Sequence, residues 1–186
     1  LIIAAGTVLK FTSGNELRVN DGGSLTVNGT EAQPVVFSAV DPTPGIWNGV
    51  QYRFSNSTRN VLNNLVIEFG GQSSGAALQT IGFSSSQVRL SVNNVLVRGS
   101  VGDGVALSEN TIVGDFLGLI STGNARSASA SAEMAANFGP ASQLTGNTLD
   151  ALAIQNTTVD SATIWQKIDV PYQLDRVDVD APLSIA

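Results

Sequence analysis

Apolar residues in this chain come in short runs of three to six, and most runs alternate with polar residues. "TVLKF", "ELRVN", "SLTVNG", "PVVFSA", "GVQYRF", "NLVIEF", "QVRLSV", "NVLVRG" and "GVALSEN" follow one another through the first 110 positions. Alternation with a period of two is the signature of a half-buried strand, and helical periodicity is almost absent. Gly, Asn, Asp, Ser and Pro punctuate the runs; these residues favour turns or tolerate positive φ. Many short strands fit a sandwich, a barrel or a solenoid. Hairpin signals are sparse, "NDGG" and "VNGT" being the good ones, and this favours the solenoid.

A weak internal repeat points the same way. "VLNNLVIEFG", "LSVNNVLVRG" and "LSENTIVGDF" share an apolar–x–polar–Asn–apolar pattern, with "LTGNTLDALAI" as a looser fourth copy. If Asn64, Asn94, Asn110 and Asn147 occupy one corner of successive coils, their amides can hydrogen-bond along the stack as an Asn ladder. The alternative is that Asn is simply a good turn former. Gly6, Gly14, Gly22 and Gly23 fall where coils must bend tightly.

The opening "LIIAAGTVLKFTSGNELRVNDGGSLTVNGTEAQPVVFSA" resembles a parallel β-helix module of secreted bacterial and archaeal surface proteins. The tryptophan segment "PGIWNGVQYRFS", the coil "NNLVIEFGG" and the tail "TIWQKIDVPYQLDRVDVDAPLSIA" are similar to later parts of such modules. The likeness covers roughly residues 1–124 and 143–186. It implies an all-β protein: a right-handed parallel β-helix of about seven or eight coils, in a fold shared with pectin lyases. At about 4.8 Å per coil the body would be roughly 35–40 Å long. The resemblance also implies an extracellular or cell-surface location, in adhesins, surface-layer proteins or lipoproteins. The whole span 1–186 is expected to be one domain. Residues 125–142, "ARSASASAEMAANFGPAS", fit poorly and are expected to form an insertion or loop with one helical turn around "SAEMAANF". Ser129 or Ser131 would cap that turn and Gly139 with Pro140 would end it.

Composition narrows the chemistry. The chain of 186 residues has no Cys and no His, which removes disulfides, thiolate nucleophiles, His bases and triads that need them. Only 13% of residues are charged, about half the usual share, so Ser, Thr, Asn, Gln and Gly must build the surface. The net charge is −6: residues 1–100 carry six basic and five acidic side chains, residues 101–186 three and ten. Singly scattered basic residues on an acidic chain suit no nucleic acid, and no apolar run is long enough to insert into a membrane as a helix. Leu1 in place of Met suggests a processed chain or an excerpt.

Candidate sites are few. Asp103, Glu109 and Asp115 in "VGDGVALSENTIVGDF" are the best carboxylate group for a polysaccharide lyase or glycosidase. All three flank turns, and no enzyme is expected; a polysaccharide-degrading activity is the alternative. Asp175, Asp178 and Asp180 are weak Ca²⁺ ligand candidates, better explained as an acidic outer face, so no metal and no cofactor are expected. Trp47 and Trp165 could stack on sugars, but the pattern favours core positions. Asn28, Asn56 and Asn156 head Asn-x-Ser/Thr sequons and are glycosylation candidates.

Leu1, Ile3 and Ala4 recur as Leu183, Ile185 and Ala186. This suggests that the last coil of one unit stacks on the first coil of the next, within a longer chain or between copies. The interface residues would be Leu1, Ile3, Lys10, Arg18, Asp178, Asp180, Leu183 and Ile185. The expected function is therefore a structural subunit of a fibre, sheath or surface layer, with the chain itself as partner. The alternative is an adhesin or carbohydrate-binding module whose partners are glycans.

Overall fold

A computed structural model describes residues 1–73, 75–83, 86–155 and 157–186. It is a parallel β-solenoid of about eight turns, with 52% strand and 2% helix. The first coil contains β1 (Ile2–Ala4), β2 (Val8–Phe11) and β3 (Glu16–Val19). The second contains β4 (Thr26–Asn28), β5 (Val35–Ala39) and β6 (Gly49–Arg53). In the next three coils the first two strands fuse: β7 (Val61–Glu68) precedes β8 (Ala76–Ile81), β9 (Val88–Arg98) precedes β10 (Asp103–Leu107), and β11 (Thr111–Thr122) precedes β12 (Arg126–Ala130). The last coils hold α1 (Ala132–Ala135), β13 (Leu149–Ile154), β14 (Thr157–Val159), β15 (Thr163–Trp165), β16 (Tyr172–Leu174), β17 (Val177–Val179) and β18 (Leu183–Ile185).

Every pairing between these strands is parallel; β14 with β17 and β15 with β18 form two separate two-stranded sheets, and the other strands build three walls. The first wall stacks β1, β4 and the leading halves of β7, β9 and β11. The second stacks β2, β5 and the trailing halves. The third runs β3-β6-β8-β10-β12-β13-β16. The period-two pattern sends alternate side chains inward, and parallel register then places like on like. Ile3, Val27, Leu62, Val92 and Phe116 form one inward column. Leu17, Val50, Leu78, Val105, Ala128, Leu152 and Tyr172 form another on the third wall. A solenoid buries only what its neighbouring coils cover, so these continuous columns are its core.

The stretch 125–142 corrects the expectation of an insertion. It does not leave the stack: β12 pairs with β10 and β13, and Gln143 bridges Ile120 in parallel, so the chain keeps to the second and third walls. Between them α1 takes the place of the first-wall strand. Ser131 is its N-cap residue, with extended backbone but no side-chain cap hydrogen bond. Ala132, Ala135 and Phe138 are fully buried, and the Phe138 ring meets the edge of Phe116 at 5.2 Å. Small Ala side chains let a helix sit where a flatter strand otherwise lies.

Candidate functional site

The outer face of the third wall carries a column in register that is polar except at Ala106 and Ala153: Arg18, Gln51, Gln79, Ala106, Ser129, Ala153 and Gln173. Three open depressions lie on this face. The first, of about 300 Å³, is lined by Glu16, Arg18, Asn48, Gln51, Arg53, Ser73, Gln79 and Ile81. The second, about 310 Å³, also has Gln79 and Ile81 in its wall and extends over Ser108 and Ser131 to Gln155 and Thr157. The third, about 230 Å³, takes Gln155 as its near wall and reaches Arg126, Gln173 and Asp175. Shared side chains thus join the three into one trough along the solenoid axis.

The ends of the trough are charged. Arg18 is ion-paired with Glu16 on the same strand, and Arg53 Nε donates to Gln51 Oε1 at 3.1 Å. Arg126 clasps Asp103 in a two-pronged pair, Nε to Oδ1 at 2.7 Å and Nη2 to Oδ2 at 2.9 Å. The centre is different. Gln79 Oε1 and Ser131 Oγ are out of contact with water and have no hydrogen-bond partner. Gln155 Nε2 donates to Ser129 Oγ at 3.1 Å. In the same lining Phe83 is 61% exposed, its ring 5.5 Å from that of Phe54. Two backbone hydrogen bonds with Ser86 hold Phe83 in place. Gly82 lets the chain come this close, since a Cβ there would crowd the carbonyls of Glu109, Asn110 and Ser86. Amides, hydroxyls and an aromatic face offer donors, acceptors and an apolar plane together.

The sequence candidates fall elsewhere. Asp103 is committed to Arg126; Glu109 is exposed at the rim of the central depression; Asp115 is exposed on β11, in the opposite wall, within the register shift between Val113 and Phe116. Asp175 lines the third depression, while Asp178 pairs with Arg176 at 2.7 Å and Asp180 is exposed. Among the described residues no three acidic side chains gather where they could hold a metal ion. Trp47 and Trp165 are fully buried, with their indole N–H groups donating at 2.7 Å to the carbonyls of Glu68 and Ala132. Neither can present a ring to a sugar. Asn28 and Asn56 are exposed; Asn156 lies outside the described residues. At the ends, Leu1, Lys10, Arg18 and Ile185 are exposed, Leu183 is half-buried and Ile3 is buried.

The Asn ladder needs correction in its membership. Asn64 and Asn94 do stack, with Asn94 Nδ2 donating to Asn64 Oδ1 at 3.4 Å, and the neighbours Asn63 and Asn93 bond at 3.1 Å. The next rung is Gly118, not Asn110. Asn110 precedes β11, and Asn147 pairs instead with Asn124 at a different corner. Three tyrosine and carboxyl groups are shifted. Burial pushes the Tyr52 and Tyr172 hydroxyls up. Backbone N–H groups of Asn147 and Gly146 hold the Asp150 carboxyl below its ordinary value.

Residue-by-residue reading missed Gln79, Ser131, Phe83 and Gln155. The phrases "GVQYR" and "AALQTI" share an apolar–Gln–x core, and aligning them would have stacked Gln51 on Gln79. Nothing local marks Ser131 as functional. No protein-family model matches the chain, and no curated protein or solved structure matches it either. Its class is therefore defined by the fold alone: a parallel β-solenoid.

Proposed function

We propose that this chain is a module of an extracellular surface protein that binds glycan along its third wall. The continuous trough carries this reading: three depressions with shared walls, lined by amide and hydroxyl groups at strand spacing. An extended chain of sugars presents hydroxyls at regular intervals, and a column of stacked side chains is the matching surface. The resemblance of the opening coils to pectin-lyase-like modules of secreted surface proteins, and the low share of charged residues, agree with a location outside the cell. The reading assigns binding without cleavage. Asp103, the most buried of the three carboxylates weighed for catalysis, is already neutralised by Arg126. Hexasaccharides on a glycan array should bind the folded protein with roughly micromolar Kd, more tightly than their monosaccharides, and leave uncleaved. Retention of no oligosaccharide by the folded protein overturns the reading, and release of reducing ends overturns the absence of catalysis.

A second reading, a structural module that stacks end to end, rests on the terminal strands. β1, β2 and β3 each pair with one strand, as do β16, β17 and β18. Such edges accept a further coil, either of the same polypeptide or of a second copy. Arg18 is partly engaged by Glu16, so Lys10 is the freer cation facing an acidic partner coil. Lys10→Glu should weaken association measured by sedimentation; a protein that stays monomeric at high concentration rules out stacking between copies.

A further inference from the structure

The three depressions are not equivalent, and the difference identifies what the central one takes. Among the described residues, no Lys or Arg lines it, whereas Arg18 and Arg53 stand in the depression on one side and Arg126 in that on the other. Its one charged wall residue is Glu109, which repels anions. Ser131 is only 7% exposed, and its Oγ makes neither the cap bond its position allows nor any other. Gln79 Oε1, in the same wall, is equally unpartnered. A buried polar atom without a partner costs about 1–3 kcal/mol, so two in one depression point to a group that supplies the missing bonds. Phe83 lines the same depression as an exposed aromatic ring. Hydroxyl hydrogens could satisfy both oxygens, while the C–H face of a sugar ring lies on Phe83.

We propose that the central depression is a subsite for one neutral saccharide ring. The proposal rests on the glycan-binding reading. Gln79 Oε1 and Ser131 Oγ contact ring hydroxyls, Phe83 covers the apolar face, and the arginines at either side meet neighbouring units. Glu109 selects against uronic acids at this position.

The test is isothermal titration with four neutral hexasaccharides (cello-, manno-, malto- and chitohexaose) and with hexagalacturonate. The proteins are wild type, Phe83→Ala, Ser131→Ala and Arg53→Gln. At least one neutral hexamer should bind, and more tightly than hexagalacturonate. Phe83→Ala should weaken it about tenfold. Ser131→Ala should weaken it several-fold while leaving Tm unchanged or higher, because it removes an unsatisfied buried hydroxyl; a merely structural serine would lower Tm and spare affinity. Binding that survives both substitutions but falls with Arg53→Gln overturns the subsite and leaves the trough as a binding face. Hexagalacturonate binding as tightly as every neutral hexamer overturns the neutral specificity. If no hexamer binds wild type, both readings fall together.

Discussion

Two corners of the solenoid use asparagine for different physical reasons. At the corner between the first and second walls, Asn64 and Asn94 have φ of 47° and 54°, in the left-handed region, and their amide contact is long and exposed. The next coil puts Gly118 there at φ 65°. A column that accepts Gly as its third rung selects for backbone conformation, not for an amide. At the corner between the second and third walls, Asn124 is 2% exposed. Its Oδ1 accepts from Ser100 N at 2.9 Å, and its Nδ2 donates to Ser121 Oγ at 3.0 Å and Asn147 Oδ1 at 3.1 Å. Here the amide itself joins three coils. Asn60 does the same where the third wall returns to the first: its Oδ1 accepts from Leu25 N at 3.1 Å and its Nδ2 donates to Arg89 O at 3.0 Å. One residue type thus serves as a turn former outside and as a buried fastener inside.

The comparison breaks most visibly at the buried corner. Asn124→Ala strands the Ser100 N–H away from water and removes the buried bond to Val97 O, while Asn147 Oδ1 keeps the backbone N–H of residue 124, and should cost about 3 kcal/mol in urea unfolding. Asn147→Ala should cost less, about 2 kcal/mol, because the half-buried side chain leaves room for water to replace its bonds to Leu144 O and Ser121 O. A loss below about 0.5 kcal/mol for Asn124→Ala would mean that this corner, too, is held by backbone alone.

Asp150 supports the same corner through the backbone N–H groups of Asn147, at 2.7 Å, and Gly146, at 3.2 Å. Its folded pKa lies below the ordinary carboxylate value, so the carboxylate contributes stability that is present above that value. The contribution is lost as pH falls through the folded pKa. Asp150→Asn should lower stability in the neutral region and so flatten the acid limb of a stability-against-pH curve, the two curves converging below the folded pKa. An acid limb identical in the two proteins would remove Asp150 from the account.

The alternating runs made the strands and the parallel stack legible, because burial of one face leaves its mark at every second residue. The positive-φ asparagines were legible for the same local reason. Which asparagines share a corner was not, because a shared phrase does not measure position around a coil. Asn94 follows Asn64 by 30 residues, but Asn110 follows Asn94 by only 16, about two thirds of the 24 that separate Asn94 from Gly118. The helix of the sixth coil shows the same limit. "SAEMAANF" announces a helical turn, but only the neighbouring coils reveal that Ala132 and Ala135 fit inside the stack. The central depression was the least legible, since Gln79, Ser131 and Gln155 meet only after several coils have been wound.

The smallest predicted effect separates the two uses of asparagine most cleanly. Asn94→Ala removes the amide and places a Cβ-bearing residue with no local hydrogen-bonding side chain at φ 54°. Left-handed backbone costs such a residue roughly 1 kcal/mol, and the substitution should destabilise by about that much. Asn94→Gly removes the same amide but tolerates the conformation. It forfeits only the long 3.4 Å contact to Asn64 and gains some freedom in the unfolded chain, so its cost should stay within about 0.5 kcal/mol. If the corner were held by amide-to-amide bonding, Gly would be as harmful as Ala, and equal losses in paired denaturation curves would decide for the ladder. Gly118→Ala closes the comparison from the other side. There the added Cβ meets the Asn94 side chain at a φ that Ala disfavours, so it should cost more than Asn94→Gly, in the same column and with no amide lost.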